Sequence, residues 1–314
     1  MGGGTVVIAD EAEPECPAGG LLVQTEACGL CSGELMDWYM DKKIPHVFGH
    51  EVSGKVIESQ DSRFPAGCRV FPHHHAPCLT CDLCLSGRYV HCLQWKRTKL
   101  QPGGMAERFA VSRENLNDTL LVDDLSAENA ALIEPLACVV KSLHIGQGQR
   151  HSATKKSAVI GLGAMGLLHL LMLPKGTLGY DLNASRVAHA HSIGLSTGEV
   201  SRPESANVIY VCPGSQAAFE FALSFAQPQA AIVMFAPLPP NEDLRIPQLA
   251  YFHDISIMAS YSCGPRDTLI ARNALLKGMV SADQVVSHLI NLDELPDAYL
   301  KMKRGEILKP MVKF

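Results

Sequence analysis

The stretch SAVIGLGAMGLLHLLML, Ser157 to Leu173, decides the fold of this chain. A short β-type run leads into three glycines, Gly161, Gly163 and Gly166, and an apolar segment of helical length follows. A bare G-x-G-x-x-G is a weak signal, but between a strand and a helix it has a physical meaning. The first glycine makes the tight turn, the second lets a pyrophosphate approach the backbone, and the third lets the helix pack on the strand. Ala164 and Met165 complete the turn, which offers the phosphates a helix N-terminus. Asp181 ends the next strand, in TLGYDLN, twenty residues after Gly161. A carboxylate there accepts hydrogen bonds from ribose hydroxyls and repels a 2′-phosphate, which favours NAD over NADP. The plainer alternative is a strand-to-helix turn that holds no ligand.

Downstream of this stretch, NVIYVC, QAAFEFALSFA, AAIVMFA and SIMASY continue an alternation of strands and helices to about Tyr261. That is the pattern of an α/β unit with a doubly wound parallel sheet. Upstream the texture differs. TVVIAD, GLLVQTEA, HVFGHEVSGKVIES, CRVFPHHH and AERFAV are short β-type runs between turn residues, and they predict a largely β domain, a small barrel. SAENAALIEPLACVVKSLHIG, Ser126 to Gly146, has helical spacing and an acidic start. The C-terminal segment opens with SCGPRDTLIARNALLKG and closes with the strand-like KPMVKF.

Composition narrows the function classes. A chain of 314 residues, 47% hydrophobic and 19% charged, is an ordinary globular protein of two-domain size. A net charge of −5 gives no electrostatic reason to bind nucleic acid or an anionic membrane. The opening MGGGTVVIADEAEPE lacks a basic start followed by an apolar run, so the expected location is cytoplasmic. The apolar run Gly161 to Leu173 is interrupted by His169 and is too short to span a bilayer. Thiols in such a compartment stay reduced, and clustered cysteines then point to metal.

PCLTCDLCLSGRYVHC carries Cys78, Cys81, Cys84 and Cys92 in the spacing C-x2-C-x2-C-x7-C. Four thiolates on a tight loop wrap a zinc ion with no open position, which is a structural site. Four buried free thiols are the plain alternative. A nucleic-acid-binding zinc knuckle is another, but beyond WKRTK, Trp95 to Lys99, its basic surroundings are missing. EACGLCSGELMDWY, Glu26 to Tyr39, poses a harder question: Cys28 and Cys31 read as a redox pair, a zinc clip, or one ligand beside a buried bystander. FGHEVSG adds His50 and Glu51, and LIEPLAC adds Glu134. A catalytic zinc needs about three protein ligands and one open position. Taken singly, Cys31 is a buried thiol, His50 a satisfied core histidine and Glu134 a helix-surface charge. Trp38 and Tyr39 suit a substrate pocket or a core equally.

ACGLCSGE, GHEVSG, the four-cysteine lobe, GGMAERFAV, LIEPLA, GLGAMG and YDLN stand in the order seen in zinc-dependent medium-chain alcohol dehydrogenases. The chain resembles that family over essentially its whole length, and the Glu134-Pro135 pair is most similar to the sorbitol, polyol and threonine dehydrogenase branch. The resemblance implies a GroES-like β-barrel catalytic domain over residues 1–144 and 262–314, with a structural zinc lobe at 78–92, and a Rossmann NAD-binding domain over 145–261. It implies a catalytic zinc at Cys31 and His50, with Glu51 and Glu134 as carboxylates that ligate it or sit beside it. Cys28 matches a position that is not a ligand. Lys309, in GEILKPMV, falls near the basic residue that meets the cofactor pyrophosphate. The implied chemistry is hydride transfer between NAD and a secondary alcohol, a polyol or hydroxylated small metabolite, with two zinc ions per chain in a homodimer or homotetramer. A relative reducing a carbonyl or C=C bond with only structural zinc, and a ligand-binding relative without turnover, are the other readings.

The chain also departs from the family. Ser32-Gly33 stands where a hydroxyl residue usually lies two places after the metal cysteine, so water placed by Glu51 or Glu134 is the expected first proton acceptor. Pro174 shortens the segment before Asp181, and Cys68 occupies a position where Asp is common.

Overall fold

A computed structural model describes residues 5–148 and 156–314, so Met1–Gly4 of the opening stretch lie outside the described residues. The chain forms two compact units, Met1–Ala137 with Cys263–Phe314, and Cys138–Ser262.

The first unit is built on β1 (Leu21–Gly29), β2 (Glu51–Ser59), β3 (Arg69–Pro72), β4 (Leu100–Gln101), β5 (Arg108–Val111) and β6 (Thr119–Leu121). The second contains β7 (Ser157–Ile160), β8 (Leu178–Tyr180), β9 (Ser196–Thr197), β10 (Ala206–Val211), β11 (Ala226–Met234) and β12 (Ser256–Ala259). The chain then returns to the first unit for β13 (His288–Ile290) and β14 (Pro310–Lys313).

In the first unit the strands lie in the order β13-β14-β1-β2-β3-β6, with β5 also on β1 and β4 on β5. β1 pairs antiparallel with β2, β5 and β14, so the sheet curls around it. Two register shifts in the β1–β2 ladder, after Leu22 and Thr25, add the local bend that a bulge provides. Leu21, Val23, Cys28, Val52 and Phe109 fill the core this curvature encloses. Cys28 is therefore the packing cysteine of the CGLC pair.

One expected strand is absent. Among the described residues Thr5–Asp10 forms no strand, with Val7 67% and Ile8 48% exposed, while Val6 packs on the barrel core. Apolar β-branched composition favours a strand only where another strand takes up its backbone groups, and among the described residues none pairs with it. The predicted helix is found in two pieces. Ser126 Oγ accepts from the Asn129 N–H at 3.2 Å and caps Ala127–Ala131, after which Ile133–Gly148 carries Glu134 in its first turn.

In the second unit every strand pairing is parallel and the order is β12-β11-β10-β7-β8-β9. The chain starts in the middle at β7, runs outward to β9, then crosses back to β10, so the order reverses between β7 and β10. Ligands of such sheets bind at that reversal, beyond the carboxyl ends of the strands. Tyr180, Phe221 and Phe225 pack with ring centroids 5.1–5.7 Å apart on one face. Aromatic pairs of this kind contribute roughly 0.5–1.5 kcal/mol beyond their buried area. Among the described residues, no helix is long and apolar enough to cross a membrane.

Candidate active site

One tight turn, Ser32–Leu35, organises the first cluster. Cys31 caps it: the Gly33 N–H donates to Cys31 Sγ at 3.4 Å, and the Cys31 N–H donates back to Glu34 Oε2 at 3.1 Å. The second oxygen, Glu34 Oε1, accepts from the Gly49 N–H at 3.0 Å and lies 3.3 Å from His50 Nδ1. One buried carboxylate thus ties the Cys31 turn to the start of β2, where His50 and Glu51 stand. Ligating atoms of Cys31, His50 and Glu51 all lie within 4.8 Å of one another.

Gly29 pairs with Glu51 across the β1–β2 ladder, and a Cβ at that position would collide with the Glu51 carboxylate. Glu51 Oε2 in turn accepts from Lys309 Nζ, which also approaches Leu30 O at 3.4 Å. Both members of this pair are buried. Lys309, expected near the cofactor pyrophosphate, is here paired with Glu51.

Burial and facing charges together bias the protonation of Cys31, His50 and Lys309. Burial pushes the Cys31 thiol up, with His50 working against the shift. It disfavours charge on His50, yet the facing Cys31 and Glu34 carry that imidazole well above its ordinary range. Lys309 follows the same pattern, penalised by burial and raised above its ordinary value by Glu51. Zinc fits this donor set. With Nδ1 against Glu34, His50 keeps Nε2 for a metal, the arrangement that a carboxylate behind a ligating histidine normally secures. The Gly33 N–H stabilises the sulfur in its thiolate form.

Glu134 is not part of this trio. Its carboxylate lies within 4.8 Å of ring nitrogens of His73 and His74. The His74 ring packs against His50 at 4.9 Å between centroids. His73 is fully buried, with Nδ1 on Asp118 Oδ2 at 2.7 Å. Burial, and after it the neighbouring His75, His50 and His73, lowers His74 well below the ordinary histidine range. Sequence reasoning missed both Glu34 and the histidine pair. The C-x-x-E spacing of Cys31 and Glu34 and the HHH run were the available signals.

The four-cysteine lobe is assembled as its spacing suggests. Cys84 Sγ lies 3.5 Å from Cys81 Sγ and 3.9 Å from Cys78 Sγ, and all four sulfurs fall within 4.8 Å of one another. Zinc–sulfur bonds of about 2.3 Å in a tetrahedron put sulfurs about 3.8 Å apart, so zinc fits without rearrangement. Hydrogen bonds from Thr80 and the Cys81 N–H hold the Cys78 thiol down at about 5. Val90 and Trp95 pack beneath the lobe.

In the second unit the glycine turn has the geometry its pattern demands. Gly161 has φ +87°, a left-handed conformation that side chains rarely adopt. A Cβ on Gly166 would run into the carbonyl of Gly161, whereas one on Gly163 would meet open space. Ala164 and Met165 begin the helix Ala164–Met172, which ends before Pro174. Asp181 Oδ2 accepts from the Leu162 N–H at 2.6 Å and Oδ1 from the Asn183 N–H at 2.8 Å. Arg186 Nη1 stands 3.7 Å from the same carboxylate.

An alcohol dehydrogenase GroES-like domain matches residues 17–119. A D-altritol 5-dehydrogenase from Agrobacterium fabrum is 34% identical over 205 residues, covering 62% of this chain and 60% of the relative. A galactitol 1-phosphate 5-dehydrogenase from Escherichia coli is 27% identical over 266 residues, covering 77% of this chain and 75% of the relative. The crystal structure of a zinc-binding dehydrogenase from Sinorhizobium meliloti bound to NADP superposes with a TM-score of 0.83 at 23% identity, covering 96% of this chain and 94% of that one. The curled antiparallel sheet unit and the doubly wound parallel sheet unit agree with that superposition in fold. The chain is thus similar to alcohol dehydrogenase GroES-like domains over residues 17–119 and to these sugar-alcohol dehydrogenases over 62–77% of its length.

Proposed function

We propose that the chain is a cytoplasmic, NAD-dependent dehydrogenase that transfers a hydride between the cofactor and a secondary alcohol, a polyol or hydroxylated small metabolite. The observation that carries this reading is the Cys31–His50–Glu51 set with Glu34 behind His50. Those three residues would hold a zinc ion, which when bound supplies the Lewis acid that polarises a substrate hydroxyl. The four lobe cysteines would hold a second, structural zinc.

The remaining work falls to the chain's own groups. Glu34 fixes the ring orientation of His50, and Lys309 offsets the charge of Glu51. Gly33 offers only an N–H, which is engaged by Cys31, and Ser32 is exposed, so the substrate proton leaves to water rather than through a hydroxyl of this turn. The Gly161–Gly166 turn receives the cofactor phosphates, and Asp181 keeps two lone pairs for the ribose after accepting from Leu162 and Asn183. The sugar-alcohol substrates in the relatives' names support the polyol class. The open edge of β12 supports a homodimer or homotetramer.

The test is reduced-cofactor formation with a panel of secondary alcohols and polyols at saturating NAD and, separately, NADP. NAD should be preferred. Asp181→Gly should weaken NAD at least tenfold, since a charge-assisted hydrogen bond is worth roughly 1.5–3 kcal/mol. A wild-type preference for NADP would overturn the cofactor assignment and give the 2′-phosphate to Arg186.

A further inference from the structure

The motif WKRTK, Trp95 to Lys99, and the segment DKKIPH, Asp41 to His46, have no part in the proposed hydride transfer, yet the fold brings them to one place. Thr98 fixes the first. Its carbonyl accepts from His75 Nδ1 at 2.9 Å, and its Oγ1 accepts from the Ala76 N–H at 2.7 Å. The second leads into β2, where the Gly104 N–H donates to Gly49 O at 2.8 Å and the Met105 N–H to Phe48 O at 2.9 Å. Lys99 on one side, and Lys43 with His46 on the other, thus stand on segments laced together beside His50.

The cations there are not neutralised by the chain. Among the described residues, Lys42, Lys43, Lys96, Arg97 and Lys99 have no ion-pair partner, and Lys43 Nζ sits over the Tyr39 ring at 3.6 Å instead. Nearby carboxylates are engaged elsewhere. Asp37 pairs with Lys303 at 2.6 Å, Asp41 acts on that same lysine, and Glu34 serves Cys31, Gly49 and His50. Lys43 and Lys99 both reach His46: partial burial lowers this imidazole, Glu34 opposes the shift, and Lys43, His50 and Lys99 add to it. Lys43 acts on His74 and His75 as well, and the His74 ring packs on His50. In a chain of net charge −5, unpaired cations gathered at one place mark a position for an anion.

We propose that Lys43, His46 and Lys99 bind the terminal phosphate of a phosphorylated polyol whose reacting hydroxyl lies at the Cys31–His50–Glu51 set. This names the substrate class of the proposed function and rests on that reading. A phosphate monoester carries about −1.5 to −2 charges at neutral pH, which two ammonium groups balance. Lysine meets it as a point charge with three donors on a long stem. His46, held neutral by burial and by the lysines, adds one N–H donor without a further charge.

The experiment compares pentitols and hexitols with their terminal phosphates as substrates of the full chain, and measures the binding of inorganic phosphate by calorimetry. The phosphates should have the higher kcat/KM. Lys43→Met and Lys99→Met should each cut that preference, and weaken inorganic phosphate, by about tenfold or more, the factor that one charge-assisted hydrogen bond supplies. Lys175→Met, an exposed lysine of the second unit, should leave the preference unchanged. Lys43 and Lys99 are exposed, so both variants should keep the wild-type melting curve. The KM for NAD should not move; a rise would give these lysines to the cofactor phosphates and overturn the assignment. Equal kcat/KM for phosphorylated and parent polyols would overturn it while leaving the proposed dehydrogenase in place. Inorganic phosphate that fails to bind, or binds both variants as it binds the wild type, would overturn it whatever the turnover. Phosphate binding that depends on Lys43 and Lys99, in a chain that oxidises no alcohol, would refute the dehydrogenase and keep the phosphate site.

Discussion

Glu34 joins two chain segments with one carboxylate, and this is how a tight turn and a strand start come to face the same point. It accepts from the N–H groups of Cys31 and Gly49 and faces His50. Replacing it with Gln keeps the shape but removes the charge behind the imidazole. Loss of such support costs roughly 10–100-fold in metal affinity or activity. Glu34→Gln should therefore release the Cys31 zinc to a chelator at least tenfold faster while the lobe zinc stays. Equal release from wild type and variant would show that Glu34 merely closes the turn.

His169 shows the other fate of a buried histidine. Its Nδ1 donates to Met165 O at 2.7 Å, so Nε2 accepts from Ser142 Oγ at 3.0 Å. Burial lowers its pKa to about 4, against an opposing contribution from the Met165 carbonyl. Between pH 6.5 and 4 the unfolded chain takes up this proton and the folded chain does not. Stability present at neutral pH is therefore lost as pH falls through that window and levels off below it. The gap corresponds to about 3 kcal/mol. Denaturant unfolding at pH 7 and pH 4.5 should show a loss that His169→Gln reduces by about 2–3 kcal/mol; an identical loss in both would contradict the assignment.

Among the elements, the cysteine lobe is the clearest case of local sequence dictating structure. Its spacing brings four sulfurs together, because ligands three and eight residues apart close one tight loop. Val90, Trp95 and the partly buried Tyr89 supply its apolar packing. Cys84→Ala should lower the melting temperature by roughly 10 °C, since a loss of about 3 kcal/mol moves a domain of this size by 2–4 °C per kcal/mol. A melting curve that does not change on this substitution, or on stripping the lobe metal, would make the loop self-supporting.

The glycine turn was equally legible, since each glycine answers to a local steric demand at Gly161 and Gly166. TVVIAD was not, because pairing is a property of the partner strand, and among the described residues none pairs with it. Glu134 shows the same limit at the candidate site. Its place in LIEPLA is local, but its company with His73 and His74 depends on where β3 ends and how the helix leans. Lys309 is a further instance: a basic residue near the end of the chain gives no hint that it will meet Glu51 in a buried pair.

On the scale of the whole molecule, the Cys31–His50–Glu51 set and the four lobe cysteines lie in one unit and the glycine turn lies in the other. The reversal of strand order between β7 and β10 opens the second unit's ligand position beside Gly161, while the curled sheet of the first brings β1 and β2 together at Cys31, His50 and Glu51. A net charge of −5 adds no steering toward polyanions. The central claim is that this donor set carries turnover while the lobe carries only stability. The direct measurement is the rate of NADH formation by Cys31→Ala on whichever polyol the wild type oxidises, with lobe zinc and melting curve followed in the same preparation. The expected result is a rate at background with the lobe zinc and the fold retained. A Cys31→Ala protein that oxidises the polyol at the wild-type rate would contradict the account.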